Sequence, residues 1–102
     1  MDIHDEIKQK IEDNKIILFM KGSPEMPQCG FSMQTAQALK SCQAEFAYVD
    51  VLENQEVRQN LPKISNWPTF PQVFVNGELI GGCDIVMDLY QKGELQKILD
   101  GA

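Results

Sequence analysis

Sulfur and histidine are scarce in this chain. Its 102 residues hold three cysteines and one histidine, His4, and no two cysteines form a Cys-x2-Cys pair. Cys29, Cys42 and Cys83 stand too far apart for the usual zinc-ligand spacings, which argues against an intrachain zinc site. An odd count at irregular spacing is not a secreted disulfide framework either, so a reduced, cytoplasmic protein is expected. Positive charge is also thin: 9 Lys and Arg stand against 15 Asp and Glu, a net charge of −6. That balance, with no basic patch, argues against nucleic acid and against an anionic membrane surface as the main partner. The longest apolar runs, Ile16 to Met20 among them, fall far short of the ~20 residues that cross a bilayer. The acidic start, Met1 to Glu6, lacks a signal-peptide core. Repeats and low-complexity stretches are absent. What is present, 43% hydrophobic and 24% charged residues, suits a globular chain, and the length suits one domain, residues 1–102.

Periodicity orders the elements. Ile3, Ile7 and Ile11 recur at helical spacing, with Asp2 as N-cap and Asn14 as stop. Ile16 to Met20 is too short for a helix and reads as a buried strand. A loop broken by Pro24 and Pro27 leads to a helix that starts at or just after Cys29 and runs to Ser41. Its inward positions are Thr35, Ala38, Leu39 and Cys42. Phe46 to Val49 is a second strand, ending at Asp50, and strand–helix–strand at this spacing is a parallel βαβ unit. Asn54 to Asn60 reads as a helix, with Val57 and Leu61 inward and Arg58 pointing elsewhere. Ser65 to Pro71 is loop, and Pro71 then opens a strand, which proline tolerates at a sheet edge. Gln72 to Val75, Asn76-Gly77 and Glu78 to Ile80 form a hairpin, since Asn-Gly suits a type I′ turn. Gly81-Gly82 ends that strand. Cys83 to Lys92 is a helix with Ile85, Val86, Leu89 and Tyr90 as its apolar positions, closed by Gly93. Leu95, Ile98 and Leu99 make a final short helix. The class is α/β.

Chemistry concentrates at Pro27-Gln28-Cys29-Gly30-Phe31-Ser32. A helix N-terminus carries unpaired N–H groups and partial positive charge. A thiol held there has its anion favoured, and Lys21 adds a full positive charge. A free cysteine with pKa ~8.5 is only roughly 7% thiolate near pH 7.4. A helix end is worth up to ~2 kcal/mol, and ~1.4 kcal/mol is a tenfold change, so Cys29 should be mostly thiolate. A thiolate attacks disulfides or binds soft metals. Ser32 stands where a Cys-x-x-Cys pair would place its resolving thiol, and a hydroxyl cannot take that role. Any mixed disulfide on Cys29 must therefore be resolved by a thiol from solution or by Cys83. A [2Fe–2S] cluster needs four thiolates; one accessible cysteine cannot hold it, but two chains and two exogenous thiols could.

The remaining features allow more than one reading. Cys42 is best read as core. Cys83 and Asp84 sit at a second helix start, where backbone N–H groups suit a carboxylate and the Asp84 side chain suits an ammonium, or simply caps its own helix. The bond before Pro71 is favoured trans on composition alone, since about 5–6% of X–Pro bonds are cis. Arg58 and Lys63 are by default solvated surface charges.

Cys29-Gly-Phe-Ser32, Trp67-Pro-Thr-Phe-Pro71 and Gly81-Gly-Cys-Asp84, with Lys21-Gly-Ser-Pro24, together resemble the monothiol glutaredoxins of single-domain bacterial type, over roughly Ile3 to Leu99. The resemblance implies a thioredoxin-like fold with a four-stranded mixed sheet and a cis bond before Pro71. It implies that glutathione is the exogenous thiol. Cys29 would then ligate a cluster or attack disulfides. Lys21 and Arg58 would hold the glycine carboxylate of glutathione, Thr69 and Phe70 its cysteinyl backbone, and Cys83 and Asp84 its γ-glutamyl end. Similar proteins carry a glutathione-ligated [2Fe–2S] cluster across a homodimer, pass it between scaffold and acceptor proteins, and pair with BolA-like proteins. The expected role is therefore a carrier more than an enzyme. The alternatives are a glutathione-dependent reductase of mixed disulfides, or a regulator that senses iron or redox state.

Overall fold

The structure, a computed structural model, describes residues 2–102. Nine elements follow in order: α1 (Ile3–Asp13), β1 (Ile16–Met20), α2 (Gly30–Ser41), β2 (Ala47–Asp50), α3 (Gln55–Ser65), β3 (Gln72–Val75), β4 (Glu78–Gly81), α4 (Cys83–Gln91) and α5 (Glu94–Asp100). The four strands form one sheet in the order β2-β1-β3-β4. β1 pairs with β2 in parallel and with β3 antiparallel, and β3 pairs antiparallel with β4. This is the βαβ unit joined to a hairpin, a thioredoxin-like mixed sheet.

The period-2 alternation of strand side chains divides the core into two layers. Ile16, Leu18 and Met20 of β1 point to one face, where they pack with Val73, Val75 and the buried residues of α2, α4 and α5. Ile17 and Phe19 point to the other, against Ile7 and Ile11 of α1, Val57 and Leu61 of α3, and Phe74. Phe19 and Phe74 meet edge-on with centroids 5.6 Å apart. A strand covered on both faces has no polar side, which is why β1 is apolar throughout.

Local signals set the ends. Asp2 caps α1 by accepting from the Asp5 N–H at 2.9 Å, and Asn14 stops the helix. Asn76 and Gly77 both have positive φ, +51° and +82°, the requirement of a type I′ turn. The Phe70–Pro71 bond is cis.

Four expectations need correction. β2 begins at Ala47, not Phe46, because its ladder with β1 starts at the Ile17–Ala47 pair; Phe46 packs on the core from outside the ladder. α3 runs on through Pro62 to Ser65 and ends at Asn66, which adopts the left-handed conformation. Pro62 removes one helical hydrogen bond, but Leu61 is fully buried and Ile64 packs beside it, so burial offsets that loss. β3 is an interior strand, so Pro71 lies just ahead of a central strand and not at an edge. In α4 the buried positions are Cys83 and Val86, whereas Ile85 and Tyr90 remain 39% and 40% exposed.

Candidate functional site

Cys29 is the N-cap of α2, in extended conformation and partly exposed. Its sulfur makes no capping hydrogen bond of full geometry. The nearby Ser32 N–H is nevertheless the largest influence holding its pKa below the ordinary thiol value. Partial burial opposes this, while the Phe31 N–H, the Lys21 ammonium and the Ser32 side chain assist. The helix end therefore favours the thiolate, as its unpaired N–H groups require. Burial drives Cys42 the opposite way, raising its pKa with help from Asp100. Cys29 thus joins partial exposure to a lowered pKa.

The loop ahead of Cys29 is strapped down at several points. The Lys21 N–H donates to Ser32 Oγ at 3.1 Å, and Ser32 is fully buried. The Gly22 N–H donates to Asp50 Oδ1 at 3.0 Å, and the same oxygen takes the Leu52 N–H at 2.9 Å. The Gln28 N–H returns to the Lys21 carbonyl, and Gly22 bridges to Pro27. Gly22 lies at φ +91°, and a Cβ there would stand 2.5 Å from the Met26 carbonyl oxygen, so no other residue fits. The loop thus fixes Lys21 beside the α2 N-terminus.

A groove of about 700 Å³ opens beside Cys29. Lys21, Cys29, Arg58, Thr69, Phe70, Cys83 and Asp84 all line it. The topology explains the convergence: the end of β1, the start of α2, one side of α3, the turn into β3 and the start of α4 come together around the groove. Arg58 reaches the groove because it lies one position off the buried Val57–Leu61 stripe of α3, and Pro62, one turn on, lines the same wall. Among the described residues the one ion pair is Lys92–Asp88, so Lys21 and Arg58 face the groove without a carboxylate partner. At the opposite wall Gly82, not Asp84, is the N-cap of α4, and no side chain caps that helix. Asp84 is exposed in the first turn, with its carboxylate free, which disfavours the capping reading. Cys83 is 8% exposed and its thiol donates to Gln34 Oε1 at 3.5 Å. No three of His, Cys, Asp and Glu come together as a metal-binding group among the described residues.

Three features were not foreseen. Ser32 faces inward, which the spacing Ser32, Thr35/Ala36, Leu39 already contains, since it extends the buried stripe back one turn. Phe31, 60% exposed, lies on the groove rim. Gly82 is a close-contact position: a Cβ there would meet the Pro71 carbonyl oxygen at 3.1 Å and Trp67 Nε1 at 3.2 Å. Nothing local to Gly81-Gly82 signals the indole, which arrives from the far side of the cis turn.

The family model described as Glutaredoxin matches residues 16–80. Glutaredoxin 4 of Escherichia coli (strain K12) is 57% identical over 95 residues, 93% of this chain and 83% of that protein. Glutaredoxin 4 of Haemophilus ducreyi is 56% identical over 99 residues, 97% of this chain and 92% of the other. Among solved structures, reduced apo GrxS14 of poplar superposes with a TM-score of 0.83 at 44% identity, covering 97% of this chain and 91% of that one.

Proposed function

The chain belongs to the glutaredoxin family and is of its monothiol kind, and on that premise we propose that it is a single-domain carrier of a glutathione-ligated [2Fe–2S] cluster. Two copies each contribute Cys29, and two glutathione molecules supply the other two sulfurs. The cluster is cargo, taken from a scaffold and passed to acceptor proteins in the cytoplasm, with a BolA-like protein as an alternative partner to the second copy.

The observation that carries this reading is the placement of one reachable sulfur of lowered pKa in a groove whose charges match a tripeptide. Its volume falls in the ~300–1,000 Å³ range of small-ligand sites. Lys21 and Arg58 would take the glycine carboxylate as two cations with no carboxylate of their own. Thr69 and Phe70 would pair through their backbone with the cysteinyl residue. At the α4 N-terminus the backbone N–H groups of Cys83 and Asp84 would take the γ-glutamyl carboxylate, and the Asp84 side chain its ammonium. Glutathione has two carboxylates and one ammonium, and the groove offers a counterpart to each. Seated there, its sulfur would lie beside Cys29, making a pair of thiolates per chain.

The lowered pKa of Cys29 favours a second reading, a glutathione-dependent reductase. In that reaction the Cys29 thiolate attacks the glutathione sulfur of a mixed disulfide and expels the protein thiolate, and a second glutathione thiolate then reduces Cys29 and leaves as glutathione disulfide. Ser32, buried and without sulfur, offers no resolving thiol on the helix that carries Cys29.

Anaerobic reconstitution with iron, sulfide and glutathione separates the two. The carrier reading predicts a coloured dimer that Cys29→Ser abolishes. A colourless monomer, together with rapid turnover of a small glutathionylated substrate, would move the reductase ahead.

A further inference from the structure

Gln72, the first residue of β3, has 0% of its surface exposed. Val73 and Val75 of β3 pack into one core layer and Phe74 into the other, so both faces of the strand are covered. The Gln72 Nε2 donates to the Trp67 carbonyl at 2.9 Å and to the Thr69 carbonyl at 3.1 Å. Two carbonyls converge on this end of the amide, which identifies it as the nitrogen; an oxygen there would face two acceptors. Both amide protons are used. The other end, Oε1, is buried without a partner.

An unpaired buried acceptor is unfavourable, and an apolar side chain of the same length would avoid it. Gln72 is therefore poorly explained by packing. Its two hydrogen bonds go to a segment that has little else to hold it. Among the described residues, no backbone–backbone hydrogen bond outside helices and strands involves residues 67–71. Trp67, Pro68, Thr69 and Phe70 all line the groove, whereas Gln72 does not reach it.

We propose that Gln72 is a positioning residue: its buried amide pins the Trp67–Thr69 backbone at two points and so sets the groove wall against which glutathione lies. This rests on the glutathione reading above. The pinned wall is preorganised, so the ligand does not bear the entropy of ordering it. A single side chain that satisfies two carbonyls two residues apart also fixes the direction of the intervening peptide groups.

The test uses two near-isosteric variants of the full chain. Gln72→Met keeps length and removes both donors, and Gln72→Glu keeps shape but sets a carboxylate against the carbonyls. Binding of reduced glutathione is titrated by backbone amide NMR, alongside thermal melting and amide hydrogen exchange. Expected results are a Kd raised about tenfold in Gln72→Met at a temperature where the variant is fully folded, and faster exchange at the Thr69 and Phe70 amides. In the wild type, the Gln72 side-chain NH2 protons should exchange slowly, a reading that needs no variant to fold. Unchanged exchange and unchanged Kd in the folded variants, or rapid exchange of those NH2 protons, would overturn the proposal. If the wild type itself fails to bind glutathione, the ligand reading falls with the proposed wall function, while the exchange data still decide whether Gln72 pins the loop.

Discussion

Ser32→Ala tests how the site is held. The hydroxyl oxygen is fully buried and accepts the Lys21 N–H at 3.1 Å. Removing it leaves that amide without its partner in a half-buried position, at about 1–2 kcal/mol, the lower part of the range for an orphaned donor. The better helix propensity of alanine returns only a few tenths of a kcal/mol. For a domain of this size, 1 kcal/mol moves the melting temperature by about 4–8 °C, so a fall of roughly 5–10 °C is expected. Cys29 should respond much less. The largest influence lowering its pKa is the Ser32 backbone N–H, with the Phe31 N–H also contributing, and both survive the substitution. Calorimetry and the rate of Cys29 alkylation at fixed pH read the two effects separately. A variant that melts with the wild type would refute the anchoring role. One that keeps its stability but loses thiolate reactivity would show that the hydroxyl acts on the sulfur instead.

Two further outcomes follow from the same geometry. Because the folded protein favours the Cys29 thiolate, its pKa lies below that of the unfolded chain; the associated stability is complete above the unfolded value and fades as pH falls through the folded one. Alkylation of Cys29 should accordingly reach its plateau at lower pH than that of the same cysteine in urea, and Lys21→Ala should move the midpoint up; coincident midpoints in folded and unfolded protein would contradict this. Gly82→Ala forces a methyl to 3.1–3.2 Å from the Pro71 carbonyl oxygen and Trp67 Nε1, so it should cost about 1 kcal/mol of stability and weaken glutathione binding. Wild-type values for both in a titration and a melt would show that the wall yields freely.

The fold was legible wherever one residue type has one physical use. The apolar run Ile16–Met20 can only be a strand covered on both faces, and Asn76-Gly77 can only be a tight hairpin turn. Asp2 and Asn14 mark the ends of α1 correctly. Misreadings arose where tertiary packing outweighed a local rule. A helix from Asn54 to Asn60 was expected, yet α3 continues through Pro62 because Leu61 just before it is buried and Ile64 just after it packs on the core. Phe46 is as apolar as a strand residue, but the register with β1 excludes it. Ile85 belongs by period to a buried stripe; instead it lines the groove and covers Gly81, where a Cβ would come within 2.8 Å of it. Six of the groove residues were legible through motifs that lie far apart in the chain and Arg58 only through the family resemblance, and all seven line the groove. What supports them was hidden. Ser32 reads as a missing sulfur, although its oxygen is a buried anchor, and Gln72 reads as an ordinary strand start, although its amide holds a loop. Such roles depend on which backbone groups are left unpaired, and no local pattern records that.

The sharpest test is the native mass of the species formed by anaerobic reconstitution. A lone reachable sulfur per chain must draw its remaining ligands from outside, so the expected mass is two chains, two glutathione molecules and one [2Fe–2S] cluster, lost on Cys29→Ser. A cluster held by a single chain, or by a dimer without glutathione, would contradict the account.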